Sequence, residues 1–161
     1  MKWQEVCDDP SLKDLPYKIE LNEWGKIIMS PASNRHGILQ AALVRALVRS
    51  RDDGLVISEC SVQTSKGVKV ADVAWASAEF MDAQGEVTPY VKAPDLCIEI
   101  LSPGNSPAEM NERKGLYFSK GAREFWTCDE QGKLVFYDCV DILRKSCLFP
   151  DITRIDTDYH H

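Results

Sequence analysis

Short apolar runs, separated by turn-forming residues, indicate a chain that alternates strands and helices. Two such runs near the N-terminus, Tyr17–Glu20 and Lys26–Met29, flank a glycine and predict a β-hairpin. Apolar residues then recur at helical spacing from Ser33 or Asn34 to about Arg51, which predicts a long helix. Residues 1–15 are polar and predict a loose or helical arm that precedes the hairpin.

Two later runs, within Val68–Ala76 and Leu96–Leu101, are apolar on both faces and therefore predict central strands of a sheet. A second main helix is predicted from Ser106, a good N-cap followed by proline, to Gly121. The remaining predicted elements are strands at Leu55–Cys60, Glu124–Asp129 and Lys133–Tyr137, an edge strand within 141–149, and a short helix at Ser77–Ala83. This order predicts an α/β fold, a mixed sheet with two main helices.

Composition limits the class of protein to a folded globular chain. The 161 residues correspond to one ordinary domain, so we expect residues 1–161 to form a single domain with its core at about 17–150. Hydrophobic residues make up 44% and charged residues 27%, which excludes disordered, collagen-like and coiled-coil chains. The apolar runs are too short to span a bilayer. A formal net charge of −6 does not favour general binding to nucleic acid.

The cysteines and histidines do not form a recognisable zinc pattern. Six cysteines occur without a C-x-x-C pair, and two of the three histidines stand at the C-terminus. Three disulfides are one alternative for an even count. However, Cys60, Cys97 and Cys128 lie in apolar runs, where a thiol packs as a small hydrophobic group. Because the N-terminus lacks the apolar segment of a secretory signal, we expect reduced thiols in a cytoplasmic protein.

Two carboxylates interrupt the apolar central strands. Asp72 and Glu99 are each the lone acidic residue in their run, and an unpaired buried carboxylate is very costly. Either a basic side chain or a divalent cation can compensate the charge, and two carboxylates from adjacent strands form a hard oxygen site suited to Mg²⁺ or Mn²⁺. Asp95 is too far along the strand to share one ion with Glu99, at about 13 Å, so it marks the strand entrance.

A lysine on the second main helix is the third candidate. Met110, Lys114, Tyr117 and Phe118 recur on one helix face, so Lys114 is predicted to point toward the sheet, where it can meet the two carboxylates. Its ammonium would then stabilise the charge that develops during phosphoryl transfer. Arg113 is a weaker substitute for this role.

These residues resemble a known family. The similarity covers about residues 17–150 and rests on several short matches taken together. They are the E-L-N-E-W-G-K-I stretch, Pro31–Gly37, Asp72, Ala93–Pro103, Lys114, Tyr117, Gly121, Ala122, Glu124 and Trp126. The pattern is similar to that of the Uma-type family of restriction-endonuclease-like proteins, within the PD-(D/E)XK nuclease superfamily. This resemblance implies a central mixed sheet flanked by helices and metal-dependent cleavage of phosphodiester bonds.

Position by position, the resemblance assigns Asp72 to the motif aspartate and Glu99 to the acidic residue of (D/E)XK. The motif lysine is missing, because Leu101 stands in its place, and the resemblance moves that role to Lys114. Glu20 matches the additional N-terminal acidic residue of the superfamily. For His36 two interpretations stay open. It is either a residue at the rim of the site that contacts a phosphate or shuttles a proton, or a capping or surface histidine.

The expected function is therefore an endonuclease that hydrolyses DNA with Mg²⁺ or Mn²⁺ at Asp72 and Glu99, assisted by Lys114. Phosphate contacts from Arg35, Arg45, Arg49 and Arg113 compete with the commoner interpretation, a solvated helix face. The superfamily suggests a homodimer. The alternative is a catalytically inactive module that binds nucleic acid or protein, in which the carboxylates form only a buried charge pair.

Overall fold

The computed structural model describes residues 1–15 and 17–158. The elements agree with the predicted order, with boundaries shifted by a few residues. The helices are α1 (Trp3–Asp8), α2 (Asn34–Ser50), α3 (Ala78–Gln84) and α4 (Pro107–Ser119), and a 3₁₀ turn covers Pro10–Leu12. The strands are β1 (Tyr17–Leu21), β2 (Ile27–Pro31), β3 (Leu55–Thr64), β4 (Gly67–Ala76), β5 (Leu96–Ile100), β6 (Glu124–Cys128), β7 (Leu134–Tyr137) and β8 (Ile142–Leu143).

A six-stranded sheet in the order β3-β4-β5-β6-β7-β8 forms the centre of the fold. Strands β5 and β6 run parallel, because α4 connects them as a crossover, and the other neighbours are antiparallel. This arrangement confirms the predicted mixed sheet. The predicted hairpin is also present, and β1 and β2 pair as a separate two-stranded sheet.

The two main helices contribute to different apolar cores. Along α2, Leu39, Leu43 and Leu47 are buried at a spacing of four residues and pack in a cluster that includes Trp75 and Trp126. The other cluster joins α4 to the sheet through Tyr117, which stacks against Phe125 with ring centroids 6.0 Å apart, and through Cys97. Both tryptophans are fully buried, as their apolar strands predict.

The β1–β2 hairpin is held against the large sheet at the turn between β3 and β4. Gly67 has φ +90°, and a Cβ at this position would collide with the carbonyl oxygen of Leu21. The close approach brings Glu20 over β4, where its Oε2 accepts a hydrogen bond of 2.7 Å from the backbone N–H of Val70. The hairpin therefore places its inward-facing side chains beside the centre of the sheet.

The ladder between β4 and β5 is short, and its end creates the candidate site. Only Val73, Ala74 and Trp75 pair with β5, and the last of these pairs joins Val73 to Ile98. Asp72 and Glu99 are the next residues on the two strands. They lie where the backbones part, and the side chains from the hairpin fill the gap.

All six cysteines are free, and Cys60, Cys97 and Cys128 are buried, as the apolar pattern predicts. Cys7, Cys139 and Cys147 are exposed. In the described part of the chain, no helix is both long and apolar enough to cross a membrane.

Candidate active site

Asp72 and Glu99 meet as predicted, and each of them is only 2% exposed. Asp72 Oδ2 accepts a 2.8 Å hydrogen bond from the backbone N–H of Ile100, so β5 itself fixes this carboxylate. Glu99 Oε1 accepts a 2.8 Å hydrogen bond from the Tyr117 hydroxyl on α4. The two remaining oxygens, Asp72 Oδ1 and Glu99 Oε2, turn toward one common point.

A lysine that was not among the predicted site residues occupies that point. Lys18 Nζ lies 3.2 Å from Asp72 Oδ1 and 3.0 Å from Glu99 Oε2. Burial alone would lower the pKa of Lys18, but the charges of Glu99, Asp72 and Glu20 outweigh it and raise the pKa above its ordinary value. The ammonium is therefore charged and bridges the pair. One feature of the sequence could have pointed to Lys18. It is two residues before Glu20, and this spacing places both side chains on one face of β1.

Arg113 provides the second cation of the cluster. Its Nη1 donates to Glu20 Oε2 at 2.7 Å, and its Nη2 donates to Glu20 Oε1, so the pair is bidentate. Nη1 also lies 3.3 Å from Glu99 Oε1. Arg113 thus links the hairpin, α4 and β5, and it is engaged with carboxylates rather than free to bind a phosphate.

His36 projects from the first turn of α2 into the same cluster. Its backbone N–H donates to the Oγ of the N-cap Ser33 at 3.1 Å, and its Nε2 lies 3.4 Å from Asp72 Oδ1. The hydrogen bond to Asp72 raises the pKa of the imidazole, against the opposing effect of burial. Of the two interpretations left open by the sequence, the structure disfavours an ordinary surface histidine, since this side chain is 19% exposed and contacts Asp72.

The three carboxylates of the cluster differ in their affinity for protons. Burial raises the pKa of Asp72, but the hydrogen bond to His36 and the charge of Lys18 outweigh it and bring the pKa to about 2. Burial raises the pKa of Glu99, and the neighbouring Asp72 charge adds to the effect. The three carboxylates face two permanent cations, Lys18 and Arg113, so the cluster carries a negative charge unless His36 or Glu99 takes up a proton.

The pairing of Glu20 with Arg113 predicts a specific dependence of stability on pH. Burial opposes ionisation, but the Arg113 hydrogen bonds and the Lys18 charge hold the pKa of Glu20 below its ordinary value of 4.5. A lowered pKa contributes stability that is fully present above 4.5 and is lost as the pH falls through the lower folded value. The Glu20→Gln variant should therefore be clearly less stable than the wild type at pH 7, with a gap that narrows toward pH 3. Urea denaturation across this range measures the gap, and a constant difference would contradict the assignment.

Lys114 does not make the contact predicted for it. Its Nζ lies over the ring of Tyr137 at 4.4 Å from the centroid, and Lys18 and Arg113 form the ion pairs with the carboxylates. The predicted helix face included residues that point in different directions. Arg113 and Tyr117 are four residues apart and both face Glu99. Lys114 is rotated from Arg113 by about 100° around the helix axis and faces β7. Tyr117 belonged to the predicted face, but its position in the helical pattern did not predict a role at the carboxylates.

A groove of about 640 Å³ lies directly over the cluster. Its lining includes Glu20, His36, Arg113 and Ile100, together with Ser102 and Asn105 from the loop that follows β5. Asp72 and Glu99 do not line it, so the two carboxylates lie beneath its floor. A ligand in the groove would meet His36 and Arg113 first.

The other sequence candidates lie outside the cluster or at its rim. Asp95 Oδ1 accepts a 2.8 Å hydrogen bond from the backbone N–H of Ser77, which agrees with its predicted place at the strand entrance. Arg35 lines the groove and donates to the carbonyl oxygen of Glu130. Arg45 and Arg49 line a separate surface cavity on the outer side of α2.

The donor chemistry of the cluster fits a hard divalent cation. Among residues 1–15 and 17–158, no group of three or more His, Cys, Asp or Glu side chains is placed to hold a metal ion. Two carboxylate oxygens nevertheless converge on one cationic atom, and Mg²⁺ is commonly held by one or two carboxylates together with water and substrate phosphate. Asp72 and Glu99 are the residues that would hold it.

Comparison with known proteins identifies the family. A family model for Uma2, described as "Putative restriction endonuclease", matches residues 10–139, which is most of the chain. The chain belongs to the Uma2 family. This membership confirms the family resemblance of the sequence, and residues 10–139 include Asp72, Glu99 and the cations that contact them.

Solved structures support the fold of this Uma2 chain. This chain superposes on the crystal structure of a protein from Anabaena variabilis with a TM-score of 0.69 at 17% sequence identity. That protein is described as a "putative nuclease belonging to DUF820". The match covers 85% of this chain and 86% of the other. No curated protein matches. Family and fold together support a nuclease-like role, and the restriction-endonuclease-like fold confirms the predicted fold class.

Proposed function

We propose that this Uma2 protein is a divalent-metal-dependent endonuclease that hydrolyses phosphodiester bonds in DNA, with Mg²⁺ or Mn²⁺ held by Asp72 and Glu99. The observation that carries this proposal is the convergence of Asp72 Oδ1 and Glu99 Oε2 on one cationic atom. Each carboxylate keeps its other oxygen fixed, on Ile100 N–H and the Tyr117 hydroxyl respectively. Such preorganisation is typical of a cation site rather than of two independent surface acids.

The surrounding residues have distinct roles in this proposal. A bound Mg²⁺ or Mn²⁺ would supply a water of lowered pKa and polarise the scissile phosphate. Tyr117 and Ile100 orient the two carboxylates, and Arg113 holds Glu99 and Glu20 in place. His36 lines the groove, where its imidazole is placed to pass a proton to the leaving oxygen, and the hydrogen bond to Asp72 raises the pKa of this imidazole.

DNA is the proposed substrate because the family is described as a restriction endonuclease. The net charge of −6 means that attraction to DNA must come from the groove itself and from the bound cation. Arg35 lines this groove and supplies positive charge there, and His36 adds to it when it is protonated. We therefore expect weak, strongly salt-dependent affinity for DNA in the absence of metal.

The decisive experiment combines metal binding with DNA cleavage. Purified wild-type protein is titrated with Mn²⁺ by calorimetry and incubated with supercoiled plasmid in Mg²⁺, Mn²⁺ or EDTA. The double variant Asp72→Asn, Glu99→Gln, prepared in parallel, controls for contaminating nuclease. The proposal expects metal binding and metal-dependent cleavage that the double variant lacks. Nicked product indicates action on single strands, whereas early linear product favours a homodimer with two sites.

One observation favours a second function. Lys18 already pairs with both carboxylates, so the cluster is a satisfied ion-pair network that can serve structure alone. On this alternative the chain is a catalytically inactive module that binds nucleic acid or protein through the groove. Wild-type protein that binds no Mn²⁺ and leaves the plasmid intact would support this alternative and refute the endonuclease.

A further inference from the structure

We infer that Lys18 is the resident cation of the Asp72–Glu99 pair, exchanged for the divalent ion on metal binding and then available as the positive charge that the reacting phosphate meets. The inference rests on the proposed function and specifies how its metal site is regulated. Its starting point is the position of Lys18 Nζ, within 3.2 Å of both carboxylate oxygens that face away from the backbone and from Tyr117. The Lys18 ammonium and a metal ion cannot both occupy this point between the two carboxylates.

Exchange also agrees with the charge balance of the cluster. Three buried carboxylates face two permanent cations, and Arg113 is committed to Glu20 by two hydrogen bonds. Lys18 donates one hydrogen bond, to Glu99 Oε2 at 3.0 Å, and lies 3.2 Å from Asp72 Oδ1, at the end of a flexible four-carbon chain. A divalent ion in its place would contribute one more positive charge than the ammonium and would neutralise the remaining carboxylate charge.

The structure provides space for the displaced side chain. Lys18 lines a second cavity of about 350 Å³, on the side of the N-terminal arm, which is also lined by Glu59 and Ser61 of β3. The cavity therefore gives the ammonium room to leave the pair without unfolding of the hairpin.

Once it has left the pair, Lys18 is the positive charge with the greatest freedom to approach a phosphate. Arg113 is fixed on Glu20, and Lys114 lies over Tyr137. A charge aimed at the developing oxyanion contributes roughly 10²- to 10³-fold to the rate of cleavage. The lysine of the reaction is therefore on β1 and not on α4.

The test compares Lys18→Met with the matched variants Lys114→Met and Lys66→Met. Lys66 is an exposed lysine paired with Glu112, so its variant controls for loss of any ion-paired lysine. Because a single nearby charge changes carboxylate proton affinity by about 10-fold or more, Lys18→Met should bind Mn²⁺ at least about tenfold more tightly than wild type. The same variant should cleave plasmid about 10²-fold more slowly, while Lys114→Met and Lys66→Met keep wild-type affinity and rate.

Opposite changes in affinity and rate separate exchange from a merely structural role, which would weaken both. Equal or weaker Mn²⁺ binding by Lys18→Met, or undiminished cleavage by it, overturns the inference even where wild-type protein binds metal and cuts DNA. Inert wild-type protein overturns the proposed function instead. A measurement on wild type guards against a misfolded variant: reductive methylation of Lys18, read by mass spectrometry, should increase when Ca²⁺ or Mn²⁺ is added. Unchanged methylation under saturating metal contradicts exchange.

Discussion

Asp72→Asn is expected to reduce the rate of metal-dependent DNA cleavage by at least about 10³-fold, since loss of about 4 kcal/mol of cation-mediated stabilisation corresponds to that factor. The amide keeps the size of the side chain and can still accept the hydrogen bond from Ile100 N–H. The amide lacks the negative charge of the carboxylate, whose Oδ1 faces the cation. Glu99→Gln should have an effect of the same order, because Oε2 supplies the second oxygen.

The matched control for this prediction is Asp95→Asn. Asp95 precedes β5 and accepts from the backbone N–H of Ser77, away from the cluster, so its variant removes an acidic charge without touching the cation site. Initial rates on supercoiled plasmid, with calorimetric Mn²⁺ titrations and thermal denaturation of each variant, separate lost chemistry from lost folding. Folded Asp72→Asn protein that cleaves within tenfold of wild type would rule out Asp72 as a metal-holding residue.

Much of the fold could be predicted because its signals are local. The α2 helix follows from the spacing of Leu39, Leu43 and Leu47, and the central strands follow from their two apolar faces. Asp72 and Glu99 stood out for the same reason, as acidic residues where the pattern requires apolar ones. Because β4 and β5 are neighbours in the sheet, the two carboxylates lie side by side. Only this neighbouring position of the two strands had to be inferred.

The cations of the site could not be predicted in the same way. Lys18 lies in a separate two-stranded sheet, and its approach to Glu99 depends on how the hairpin packs on β4, at a separation of 81 residues. An alternating strand shows that Lys18 and Glu20 share a face, but it does not show what that face contacts. On α4, a choice between adjacent residues 113 and 114 decides whether the side chain meets β5 or β7, and helical periodicity alone leaves that choice open.

Arg113→Met is expected to lower the free energy of unfolding by about 3–5 kcal/mol, because removing one partner of a buried pair leaves an uncompensated charge. Glu20, which loses both of its side-chain donors, is 2% exposed, and Glu99 loses one of its partners. The measurement is urea denaturation at pH 7. Arg123→Met is the matched control, since its ion pair with Asp95 spans 3.6 Å and its side chain is 60% exposed; its cost should be about 0–1 kcal/mol.

The double variant Arg113→Met, Glu20→Leu distinguishes an uncompensated charge from lost packing. Replacing both members of a buried pair by apolar residues is often neutral, so the double variant should recover much of the stability that Arg113→Met loses. The backbone N–H of Val70 would still lose its acceptor, which costs about 1–3 kcal/mol and limits the recovery. If the double variant is instead less stable than Arg113→Met, the guanidinium contributes mainly by packing α4 against the hairpin, and the penalty does not arise from the charge of Glu20.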